Sequence, residues 1–154
     1  MLNISLDLGD VPAVLAALSN PKIAQQVVNA AAESYVDDVH DWIGAGQGFT
    51  PRTGILQQSI NWRPGGNGTA EIYANAEYAR FVEEGTKPHK INPKAGGKGL
   101  KIPVAGGGGY VIRRGVNHPG SKPHPFFFAD MVDRSRHMQE RALSVLASRI
   151  AQAT

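Results

Sequence analysis

Five histidines are the residues in this chain best suited to metal or acid–base chemistry. His89, His118 and His124 sit among lysines, and no Asp or Glu occurs between Lys87 and Phe128 to complete a hydrolytic metal site. His40 and His137 stand alone in helical stretches, so all five read as solvated or backbone-bonded side chains. There are no cysteines, which removes thiolate metal sites, disulfides and cysteine nucleophiles together. A serine nucleophile would want a Gly-x-Ser-x-Gly turn, and none is present. A phosphate loop needs Gly-Lys followed by Ser or Thr, whereas Gly97-Lys98 is followed by Gly99. The pair Glu83-Glu84 precedes a glycine stop and reads as a solvated helix end. These exclusions predict a protein that is not an enzyme and carries no cofactor.

What remains is charge. The net +3 is strongly segregated along the chain. Residues 1–50 carry one Lys against six acids, three of which, Glu33, Asp37 and Asp41, recur every four residues as a ladder on one helix side. Residues 87–129 carry eight cations and no acid: Lys87, Lys90, Lys94, Lys98, Lys101, Arg113, Arg114 and Lys122. The same stretch holds 9 of the chain's 18 Gly and 6 of its 10 Pro. Only Tyr110 is a ring of the Phe, Tyr or Trp kind between residues 87 and 122, so base stacking is not indicated. Cations spaced by Gly and Pro suit a phosphate backbone read without sequence specificity, or the acidic face of a second copy. A solvated loop is the plain alternative.

The elements that would position these groups follow from periodicity. Leu2, Ile4, Leu6 and Leu8 alternate with polar residues as in a half-buried strand, and a short helix is expected over 11–19. Asn20-Pro21 opens a long helix with Val28, Ala31, Ala32, Tyr35, Val39 and Trp42 on one side, closed at Gly44. Strands are expected at 59–63 and 69–74 around Gly65-Gly66-Asn67-Gly68, then a short helix from Asn75 to Glu84. Residues 87–99 and 115–125 read as loop, flanking a second hairpin formed by 100–105 and 110–114. A last helix is expected from Phe126 to the chain end, with Phe128, Met131, Ser135, Met138, Ala142, Val145 and Arg149 on one side. The expected fold class is α+β: a small antiparallel sheet packed against two long helices, with long Gly/Pro-rich basic loops. The chain reads as a single domain over 1–154, divided as 1–46, 47–86, 87–125 and 126–154. With no apolar run of membrane-spanning length and no basic leader, a soluble product made in the cytosol is expected.

Three fragments, taken in order, resemble a known family. They are Thr50-Pro-Arg-Thr-Gly-Ile-Leu-Gln-Gln-Ser-Ile60, Ala76-Glu-Tyr-Ala-Arg-Phe-Val-Glu-Glu-Gly-Thr86 and His118-Pro-Gly-Ser-Lys-Pro-His-Pro-Phe-Phe127. Together they are similar to the neck and tail-completion proteins of long-tailed bacteriophages, also called minor tail components or head–tail joining proteins. The likeness spans about residues 50–130; the first 45 residues share only helical character. It implies a structural virion protein made in the host cytoplasm and placed at the head–tail junction. It also implies a homo-oligomeric ring that meets other connector and tail proteins and passes duplex DNA, with no membrane partner. A non-specific nucleic-acid-binding module is the alternative.

Within the fragments, Gly54 is expected to make a tight turn that sends Leu56 and Ile60 into the core, with Arg52 available for a carboxylate. Tyr78, Ala79 and Val82 would form the apolar side of the short helix, which Gly85 ends, while Pro125 and Phe126 anchor the last helix. Thr53, Ser59, Glu83, Thr86, Pro119 and Gly120 complete the set read as fold determinants. The cations of 87–122 are the candidate subunit or DNA contacts, and the ladder Glu33/Asp37/Asp41 is the candidate acidic subunit contact.

Overall fold

The structure, a computed structural model, describes residues 1–6 and 20–153. The expected helix at 11–19 lies outside the described residues. The elements are β1 (Leu2–Leu6), α1 (Pro21–Gly44), α2 (Ile55–Gln58), β2 (Ile60–Gly66), β3 (Thr69–Ala74), α3 (Ala79–Glu84), β4 (His89–Ile91), β5 (Leu100–Pro103), β6 (Tyr110–Arg113), β7 (Val116–His118) and α4 (Met131–Ala153). Helices and antiparallel ladders are mixed, an α+β arrangement, but the ladders fall into three small sheets where one was expected.

The main sheet has the order β1-β3-β2, antiparallel throughout. Alternation decides its faces: Ala70, Ile72 and Ala74 of β3 point into the core between half-buried neighbours. The β2–β3 turn uses Asn67 and Gly68, both with positive φ (52° and 74°), the backbone that a tight two-residue hairpin requires. Pro64 is tolerated because β2 is an edge strand.

Helix α1 opens as its sequence predicts. Asn20 Oδ1 accepts from the Lys22 backbone N–H at 3.0 Å, and Pro21 occupies the first turn. Its end differs slightly: Gly44 is still helical and the left-handed glycine is Gly46, with φ 72°. Val27, Val28, Ala31, Ala32, Tyr35, Val36, Val39 and Ile43 are all buried, a band too wide for one interface. The reason is that α1 is the middle layer, with β2 and β3 against one side and α4 against the other. The two long helices therefore stack on each other, and only α1 lies broadly on the sheet.

Two helix starts move. Helix α3 begins at Ala79, after Tyr78 as N-cap, and not at Asn75, whose backbone N–H is committed to Ser59 O at 3.0 Å. Helix α4 begins at Met131 instead of Phe126, because Asp130 takes a left-handed conformation (φ 52°) that no helix continues through. In consequence Phe128 and Met131 are exposed, and the buried side of α4 is Arg134, Met138, Ala142 and Leu146. The one-turn helix α2, entered through left-handed Gly54 (φ 71°), has no counterpart in the sequence reading. The stretches 87–99 and 115–125, read as loop, contain β4 and β7, which pair as His89↔His118, Lys90↔Asn117 and Ile91↔Val116.

Candidate assembly interface

The second and third fragments meet in space. Gly85 and Gly120 (φ 72° and 87°) flank an isolated bridge between Thr86 and Ser121, whose backbones exchange hydrogen bonds at 3.0 and 3.1 Å. A Cβ on Gly85 would collide with Ser121 O, and one on Gly120 with Thr86 O. Both positions therefore require glycine for close approach as well as for φ. One turn earlier Glu83, 7% exposed, points inward, correcting the reading of a solvated end. Its Oε2 accepts from the backbone N–H of Phe126 and Phe127 at 2.8 and 2.9 Å, and its Oε1 from that of Phe128 at 3.0 Å. Glu84 is the exposed member of the pair and holds Arg80 at 2.9 Å.

Behind this segment Arg134, 3% exposed, donates through Nη1 to Phe126 O and Phe127 O at 2.8 and 3.1 Å. The Tyr35 hydroxyl donates to Phe127 O as well. Burial pushes the Tyr35 phenol above its usual pKa of 10.0, against the opposing pull of Arg134. Carboxylate on one side and guanidinium on the other thus fix three consecutive aromatic residues, two of them, Phe126 and Phe127, fully buried. Of the other matched positions, Leu56 and Ala79 are in the core, and Ser59 Oγ donates to Leu56 O at 2.7 Å. Arg52, Thr53, Pro119 and Pro125 are exposed, and Arg52 forms no ion pair among the described residues.

From the Thr86–Ser121 bridge the chain runs out into two successive ladders that carry the cations. Lys87 follows the bridge, Lys90 lies on β4, and Lys94 and Lys98 sit in the turn between β4 and β5. Lys101 stands on β5 opposite Ile112, Arg113 ends β6 opposite Leu100, Arg114 follows it, and Lys122 returns beside Ser121. All eight side chains are exposed, and none is in an ion pair among the described residues. Lys101 Nζ lies 3.8 Å from the centroid of the Tyr110 ring. Hairpin β5–β6 packs chiefly on itself and leaves Tyr110, Val111 and Ile112 exposed.

Glu33, Asp37 and Asp41 are all exposed along α1. Asp41 also borders a cleft of about 270 Å³ between α1 and α4, lined by Asp38, Asp130, Asp133, Trp42, Arg134 and His137 among others. His137 Nδ1 and Asp38 Oδ2 are 2.9 Å apart there. Two of its lining residues carry a buried donor without a partner among the described residues, Trp42 Nε1 and Arg134 Nη2. Sequence reasoning singled out Asp41 but not Asp38, Asp130 or Asp133; the last two reach the cleft from the start of α4, distant in sequence from α1.

The histidines are dispersed. His89 and His118 face each other with ring centroids 5.1 Å apart, His124 Nδ1 is 2.7 Å from Gly48 O, and His40 Nε2 is 3.0 Å from Gln57 O. Among the described residues no three His, Cys, Asp or Glu side chains converge as a metal-binding group. No described helix is long and apolar enough to cross a membrane. What the described surface does present is exposed charge and exposed apolar side chains.

Comparison with known proteins agrees with the resemblance carried by the fragments. Residues 14–85 match the family model HK97-gp10-like, described as "Bacteriophage HK97-gp10, putative tail-component". The match extends further toward the N-terminus than the fragments do, taking in α1, and stops at Gly85, so the third fragment lies outside it. No curated protein and no solved structure matches the chain. The matched family is one of phage tail components, a structural class, which supports a structural role in a virion among other tail proteins.

Proposed function

We propose, with that tail-component match as premise, that this chain is a non-enzymatic ring subunit at the head–tail junction of a long-tailed bacteriophage. Copies of the chain surround the path of the genome and join head-side to tail-side components. The observation that supports this reading best is the basic excursion between residues 86 and 121. Seven exposed cations without acidic partners among the described residues stand on or between its short strands, with Lys122 just past the bridge, while Glu33, Asp37, Asp38 and Asp41 line α1 and Asp130 and Asp133 mark the start of α4. One surface of each sign on one subunit suits a head-to-tail contact, which closes into a ring when the rotation between copies closes.

In this role the matched residues build the subunit, and the cations make its contacts to a neighbour or to duplex DNA in the lumen. The ladders order fully on assembly, so amide exchange across 87–122 slows on going from free subunit to particle. Imaging a purified virion neck and tracing the chain in it tests the proposal. A ring of this chain between portal and tail is the expected result; its absence from the particle refutes the role. Steeply salt-dependent duplex binding by an isolated subunit that is absent from virions would identify a nucleic-acid-binding module instead.

A further inference from the structure

We infer that hairpin β5–β6 of one copy docks on the acidic cleft between α1 and α4 of a second copy of this chain. The inference rests on the ring reading and names the two faces that meet. A two-stranded hairpin is marginal in water when nothing covers it. Here Tyr110, Val111 and Ile112 are 54%, 41% and 63% exposed on just such a hairpin. Lys101, Arg113 and Arg114 stand among them. A phosphate backbone would engage the cations but gain nothing from Ile112 or Val111, so a protein surface fits the arm better than DNA does.

The surface required is acidic with apolar patches beside it, and the chain carries one. Asp38, Asp41, Asp130 and Asp133 border the cleft; His137 lies 2.9 Å from Asp38 and Arg136 2.8 Å from Asp133, which leaves Asp41 and Asp130 without an ion pair among the described residues. At the same end of α4, Phe128 and Met131 are 43% and 39% exposed. Basic-plus-apolar thus meets acidic-plus-apolar, and the arm, which has no acid between residues 87 and 129, cannot satisfy its own cations. Arm and cleft are different patches, so the contact is heterologous and propagates from copy to copy.

The absence of cysteine makes the test clean. Full-length chains carrying Ile112→Cys or Ala45→Cys, the latter at an exposed position lining the cleft, each alone and then mixed, are treated with a short bis-maleimide. The mixture is expected to give a crosslinked heterodimer that dominates over like-with-like products. In parallel, Lys101→Glu with Arg113→Glu, and separately Asp41→Lys with Asp133→Lys, should each weaken self-association at least tenfold by sedimentation. The chain bearing all four changes should recover it. These side chains are exposed, and circular dichroism of each variant verifies the fold. Crosslinks only between like positions, or an arm-reversed chain that associates as the parent does, overturn the docking and leave the ring reading standing. An arm-reversed chain that still assembles but loses duplex binding assigns the arm to DNA and likewise overturns it. A parent chain that stays monomeric free and within the particle overturns both.

Discussion

Replacing Glu83 is the sharpest probe of how this fold holds the segment that leads into α4. Glu83→Ala removes both oxygens that accept from Phe126, Phe127 and Phe128. Phe126 and Phe127 are 0% exposed, so water cannot replace the carboxylate at their N–H groups without opening the core. Each buried donor left unpaired costs about 1–3 kcal/mol, whereas the Phe128 N–H, in a half-exposed residue, recovers part of its loss from solvent. The expected loss is therefore about 3–5 kcal/mol, a large share of the roughly 5–15 kcal/mol typical of a whole domain. Glu83→Gln keeps one acceptor oxygen and the shape, and should lose about 1–2 kcal/mol. Glu84→Ala is the matched control: it breaks only the exposed pair with Arg80 and should cost no more than about 0.5 kcal/mol. Urea unfolding followed by Trp42 and Trp62 fluorescence gives all three numbers, and amide exchange at Phe126 and Phe127 should accelerate in the Ala and Gln variants of Glu83. A Glu83→Ala chain as stable as Glu84→Ala would refute the argument that this carboxylate fixes the segment.

Other outcomes follow from the same geometry. Gly120→Ala and Gly85→Ala each combine an unfavourable positive φ with a clash against backbone oxygen, and each should destabilise by about 2–5 kcal/mol in urea titration. The Tyr35 phenol, held above 10.0 by burial, contributes stability that is complete below that value and is lost as pH rises through its folded-state pKa. The fall in urea midpoint above about pH 10 should accordingly be shallower in Tyr35→Phe. Hydrogen bonding from Arg63 lowers the Glu71 carboxyl below 4.5, so its contribution is present above that pH and lost as pH falls through the folded value. Arg63→Ala should flatten the acid limb of the stability profile there.

Much of the body was legible in the sequence because its signals are local. The alternation at the N-terminus gave β1, Asn20-Pro21 gave the start of α1, and Asn67-Gly68 gave the hairpin of β2 and β3. The faults lie where a long-range contact decides. Nothing local marks Asp130 as left-handed, so the aromatic run Phe126-Phe127-Phe128 passed for helix while Glu83 and Arg134 in fact hold it outside one. The three-residue strands β4 and β7 are too short to show a period and exist through each other. The cations were readable as a group from composition alone. The acidic partner surface was only half visible, since the Glu33/Asp37/Asp41 ladder follows one helix whereas the cleft needs Asp130 and Asp133 brought beside it by a second.

The Thr86–Ser121 bridge makes the intervening segment a closed excursion, entered and left at one point of the body. Lengthening such a segment costs little, since doubling a flexible loop adds only about 0.6 kcal/mol of closure entropy. The glycines at 106–109, whose Cβ positions face open space, are accordingly a place where a peptide tag or reporter can be inserted without disturbing α1, α4 or the main sheet. The same arrangement leaves the body free to stay constant while arms of different length and charge are exchanged at a single clamp, so that the contact specificity of the subunit can change without changing its fold.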